Sequence, residues 1–119
     1  MGSYLIEAWT DRLISGVNIM PAYWVARSRI NDAVEYKRYT DLVPAIIAKH
    51  GGKVLARGGR FRILEGPDTF HRFVVIEFPT LEAAEACHRS PEYQAAAAYR
   101  HNGVGQVETI IVDGGDATK

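Results

Sequence analysis

Apolar and polar positions recur along this chain with two different periods, and the changes between them mark out strands and helices. Over residues 22–30 the period is two. Tyr23, Val25, Arg27 and Arg29 fall on one face and Trp24, Ala26 and Ile30 on the other, which predicts a first strand. The period then lengthens. Tyr36, Tyr39, Val43, Ile46, Ile47 and His50 recur at three- and four-residue steps and predict a helix with one apolar stripe. Asp32 followed by Glu35 has capping-box spacing at its start, and Gly51-Gly52 stops it. Pro44 removes a backbone donor, so a kink or split is expected near Thr40.

Residues 53–65 and 71–78 predict two further strands, joined by the turn sequence Gly66-Pro67-Asp68-Thr69. Gly58-Gly59 inside the first of them predicts a bulge or bend. Thr80 caps a second helix with Leu81, Ala84 and His88 on its stripe. Ser90-Pro91-Glu92 opens another helical segment that runs to Gly103. Residues 104–112 predict the last strand, and residues 114–119 form a small polar tail.

The order strand, helix, strand, strand, helix, strand, with right-handed crossovers, specifies an α+β fold of ferredoxin-like βαββαβ topology. It is a four-stranded antiparallel sheet with the helices on one face. Phe73, Val74, Val75, Ile76 and Phe78 make the third strand apolar on both faces. One face meets the helices, and the other needs cover. A second copy of the same sheet is the economical cover, so a homodimer joined through sheet faces is expected.

Length and composition limit the function classes. The 119 residues suit one domain, here residues 20–113. Residues 1–19 form an N-terminal extension with Leu5, Ile6, Trp9 and Leu13 at helical spacing, either non-native or a short amphipathic helix, with Met20 as an alternative start. Fourteen basic and fourteen acidic residues leave no net charge, which argues against a general nucleic-acid binder. No stretch approaches the roughly 18 apolar residues of a membrane span. Cys87 is the single cysteine, so no intrachain disulfide forms and a cytoplasmic location is expected.

The chain resembles the domain of unknown function 1330 family within the dimeric α+β barrel superfamily. The resemblance rests on YW at 23–24, Tyr36, Tyr39, HGG at 50–52, RGGRF at 57–61, LEG at 64–66, VIEFP at 75–79 and SPEYQ at 90–94. It implies a ferredoxin-like protomer, a homodimer whose sheets form a barrel, and a cleft between sheet and helices. It implies no agreed catalytic residues. Relatives in the wider superfamily include cofactor-free monooxygenases, isomerases, haem enzymes and binding modules, and fold does not choose among them.

Candidate chemistry centres on Arg57 and Glu77, on strands expected to be neighbours. They read either as a carboxylate-binding arginine with a base or as a cross-strand ion pair. His88 is the candidate general base near the end of the second helix. Tyr23, Tyr36, Tyr39 and Tyr93 either line an aromatic pocket or belong to the core. The four histidines show no metal-ligand spacing, so neither a metal nor a cofactor is expected. Cys87 reads as a small apolar filler and Ser90 as a helix cap.

Three functions are compatible with this pattern. One is a cofactor-free small-molecule enzyme of monooxygenase or isomerase kind. The second is a non-catalytic metabolite-binding or regulatory module. The third is a structural dimer, with Trp9 in the extension mediating higher assembly.

Overall fold

The computed structural model describes residues 20–118, so the amphipathic helix expected around Trp9 lies outside the described residues. Four strands, β1 (Ala22–Ile30), β2 (Lys53–Arg57), β3 (Arg72–Phe78) and β4 (Gly105–Asp113), form one antiparallel sheet in the order β2-β3-β1-β4. Helix α1 (Ala33–Lys49) links β1 to β2. Helices α2 (Leu81–Arg89) and α3 (Pro91–Ala97), with a short 3-10 turn at Ala98–Arg100, link β3 to β4. This is the ferredoxin-like βαββαβ arrangement as an open α+β sheet.

Strand register separates the two faces. Trp24 lies opposite Ile76 and Ile111, and Ala26 opposite Val74 and Thr109. This face is buried under the helices. Trp24 is its centre, with its ring 5.9 Å from Phe78 and edge-on to Tyr93 at 5.3 Å. Tyr93, Phe78, Ile76 and Cys87 are fully buried around it. Aromatic pairs in such offset geometry add ~0.5–1.5 kcal/mol beyond the area they bury. Tyr23, Val25, Val75, Glu77, Ile110 and Val112 share the other face, which no element among the described residues covers. There Ile110 is 62% exposed.

Capping follows the sequence closely. Asp32 accepts from Glu35 N, Thr80 from Ala83 N and Ser90 from Tyr93 N. The capping box at Asp32 is half formed, because Asp32 N donates to Val104 O while Glu35 turns to Arg38 at 2.8 Å. Helix α1 runs unbroken through Pro44, contrary to the expected split. Tyr39 and Val43 before the proline and Ile47 after it are all buried, and that packing keeps the two halves in one helix.

The expected long second strand is also corrected. β2 ends at Arg57 with the expected bend at Gly58, and a further irregularity lies between Val54 and Ala56. Gly58 has φ +67, a left-handed conformation that ends the ladder. Residues 58–71 then run as a loop, with Phe61 packed on Phe73 at 5.0 Å.

Gly52 is required for close approach. A Cβ there would lie 2.5 Å from Ile47 Cγ2 and 2.9 Å from Phe78 Cε1, whereas at Gly59 it would meet nothing within 4 Å. Gly52→Ala is therefore expected to cost ~1–3 kcal/mol through overpacking. Gly59→Ala should stay within about 0.5 kcal/mol of the parent. Denaturant unfolding of both variants measures the difference, and equal midpoints would contradict this packing.

Candidate functional site

The helical layer covers the inner face unevenly. α2 lies close against β1, β3 and β4, whereas the close contacts of α1 are with α3 and the 3-10 turn. Between α1 and the sheet a cleft of about 40 Å³ remains. A cavity of that size admits a few waters. Trp24, Ala26, Val74 and Ile76 are among its floor residues, and Tyr36, Tyr39 and Val43 come from α1. Pro44 and Thr40 also line it. Because proline has no N–H, the Thr40 carbonyl lacks its usual donor four residues on, beside this cleft.

The inner face changes character along its length. At the Ala22 and Phe78 end it is apolar and closed by α2 and α3. At the other end Ser28 lies opposite Arg72, and Arg57 lies opposite Val74. All three line the cleft, and none of its lining residues is acidic. Arg72 also sits with its guanidinium 6.0 Å from the centre of the Tyr36 ring.

The sequence candidates therefore separate into three places. Arg57, Tyr36 and Tyr39 come together at the cleft. Glu77 and Tyr23 project from the opposite face, where Tyr23 Oη donates to Glu77 Oε2 at 3.1 Å. The strands of Arg57 and Glu77, β2 and β3, are neighbours as expected, but the two residues do not meet, because Lys53 is the β2 residue opposite Glu77. With one extra residue between Val54 and Ala56, Arg57 ends up on the helix side. The bond to Glu77 raises the Tyr23 phenol above its ordinary value, with burial adding a smaller push.

Tyr93 and His88 lie behind the cleft. Tyr93 Oη meets Tyr39 Oη at 2.8 Å and accepts from Arg100 Nη2 at 3.3 Å. Burial, and then the Tyr93 hydroxyl, raises the Tyr39 phenol well above its ordinary value, so it remains a neutral hydroxyl. His88 packs its ring on Trp24 at 5.6 Å and on Tyr93 at 5.2 Å. Burial lowers its pKa, and the charges of Arg100 and Arg89 lower it further. Cys87 is fully buried, and burial pushes its thiol up to about 11, consistent with a space-filling role.

Arg72 and Ser28 escaped the sequence reading. The available signal was an arginine at the same two-residue period as Val74, Ile76 and Phe78, and a serine continuing the face of Trp24 and Ala26.

A sequence profile described as "Domain of unknown function (DUF1330)" matches residues 21–115. No curated protein matches the chain. A protein of unknown function from Rhodopseudomonas palustris is similar in structure, with TM-score 0.68 and 19% identity over 90% of this chain and 92% of that one. SnoaB, a cofactor-independent oxygenase from Streptomyces nogalater, is similar with TM-score 0.56 and 15% identity over 82% of this chain and 96% of that one. A dimeric protein of unknown function and ferredoxin-like fold from Bacteroides fragilis is similar with TM-score 0.55 and 15% identity, covering 78% and 95%.

The depressed His88 pKa has a direct readout. NMR titration of the His88 ring should give a midpoint below the ordinary value of 6.5. Between that midpoint and 6.5 the unfolded chain binds more protons, so the contribution of His88 to stability is lost as pH falls through this window. In His88→Gln that part of the pH dependence should disappear. A midpoint at or above 6.5 would contradict the packing of this ring.

Proposed function

The chain belongs to the domain of unknown function 1330 family, and from that premise we propose that it is a homodimeric protein that binds a small organic molecule in the cleft between its sheet and α1. The observation that carries this reading is the cleft itself. It is walled by Tyr36 and Tyr39 and floored by Trp24, Ala26, Val74 and Ile76, with Ser28, Arg57 and Arg72 at its polar end. Apolar walls with a few convergent polar groups are the usual make-up of a small-molecule site.

The residues that line this cleft are suited to holding and orienting. Tyr36 and Tyr39 meet edge-on at 5.4 Å, and Tyr39 is tied to Tyr93, so these walls are preorganised. None of the lining residues is a carboxylate or an imidazole that would take a proton at neutral pH. A second reading, cofactor-free oxygenase- or isomerase-type chemistry on the bound molecule, draws its support from the likeness to the Streptomyces nogalater oxygenase. In that reading Arg57 and Arg72 would stabilise negative charge developing on the substrate.

The homodimer reading rests on the outer face of the sheet. Val25, Val75, Ile110 and Val112 form a contiguous apolar surface there, with Ile110 62% exposed and Val112 48% exposed in the protomer. The similar Bacteroides fragilis protein is described as dimeric. Two sheets packed through this face would cover both copies at once and bury the Tyr23–Glu77 pair between them. Among the described residues no helix is long and apolar enough to cross a membrane. A cytoplasmic setting fits the lone buried Cys87.

Native mass spectrometry of gently purified protein tests both parts. The expected species has twice the 13.2 kDa chain mass and carries a small organic adduct. Ile110→Glu should yield monomer, and Ala26→Trp, which fills the cleft floor, should yield a dimer without the adduct. A monomeric parent would contradict the pairing of sheets. An adduct that survives Ala26→Trp would contradict the choice of cleft.

A further inference from the structure

The polar end of the cleft carries two cations without an anion. Arg27, Arg38 and Arg89 are each paired with a carboxylate, at 2.8, 2.8 and 3.4 Å. Arg57 and Arg72, which share the cleft, have no ion pair among the described residues. Arg57 is exposed and Arg72 half-buried, and two guanidinium groups on one wall without an ion pair offer a place for an anion.

An independent observation points the same way. Ser28 is only 3% exposed, and its Oγ has no hydrogen-bond partner among the described residues. Buried hydroxyls are nearly always paired, so one left open beside a cleft marks a position for a ligand atom. Ser28 and Arg72 are direct register partners on β1 and β3. Both also line a shallow basin that leads past Arg29 to the loop at Asp68. Asp68 is bonded by His71 at 2.8 Å and forms no ion pair with Arg72.

We infer that the ligand is an organic carboxylate with an apolar, flat body. Its carboxylate is held by the guanidinium groups of Arg57 and Arg72 and by the hydroxyl of Ser28, and its body lies against Trp24, Tyr36 and Tyr39. The planar guanidinium donates two parallel N–H bonds that match a carboxylate, and the serine O–H completes the set. The apolar floor selects against a fully hydrated inorganic anion. This inference rests on the reading of the cleft as a ligand site and specifies what that site takes.

Isothermal titration of the full chain with benzoate, and with benzamide as its neutral isostere, tests the inference. Benzoate should bind saturably and benzamide on the order of tenfold more weakly. Added salt should weaken benzoate and leave benzamide unchanged. Arg57→Gln and Arg72→Gln should each weaken benzoate by about tenfold, and Ser28→Ala by less. Equal binding of the two probes, both blocked by Ala26→Trp, would overturn the anion assignment while leaving the cleft as a ligand site. Failure of both probes to bind at about 10 mM would overturn the cleft reading as well. The comparison of probes on the parent protein decides the matter even where a variant folds poorly.

Discussion

The structure depends on one constraint: the sheet built around β3 carries apolar side chains on both faces, and the helices can cover only one of them. Phe78, Ile76 and Val74 alternate with Val75 and Phe73, so no rotation of the strand hides them all in one layer. The helices satisfy the inner face, with Trp24 and Tyr93 as the large pieces that fix their height above the sheet. The outer face is left for a second copy in the proposed assembly. Everything else in the fold, including the place of the cleft, follows from how the inner face is covered.

That cover is complete at one end and open at the other. Small residues on α2, Ala84 and Cys87, let that helix settle closely against the sheet around Trp24 and Phe78. α1 carries the larger Tyr36, Tyr39 and Val43 and stands over the end of the sheet where Ser28 and Arg72 replace apolar side chains. Lys49 ties its C-terminus to Glu92 on α3 at 2.9 Å. The cleft is thus the consequence of one helix held off the sheet by aromatic residues, over strands that turn polar beneath it. Within the two functional readings, this favours recognition by shape and charge, with chemistry on the bound molecule as the further step.

Much of this was legible in the chain because side-chain periodicity reports burial directly. The strand order, the caps at Asp32, Thr80 and Ser90, and the two-sided β3 all follow from local patterns. The family likewise follows from the spacing of YW, HGG and SPEYQ. What was not legible depends on register and on tertiary packing. One extra residue at Leu55 decides that Arg57 faces the helices while Glu77 faces away, and no local signal announces it. Pro44 reads as a helix breaker by itself, yet packing on both sides of it keeps α1 whole. Ser28 and Arg72 look like ordinary strand residues until their faces are assigned.

The central claim is that the inner face of the sheet, under α1, is the working face. Mapping benzoate-induced shifts in the NMR spectrum of the full chain tests it most directly. The account predicts that the largest shifts cluster at Ala26, Ser28, Tyr36, Arg57, Arg72 and Val74, with the Arg57 and Arg72 side-chain Nε resonances among them. Shifts concentrated instead at Tyr23, Glu77 and Ile110 would put the ligand on the outer face and contradict it.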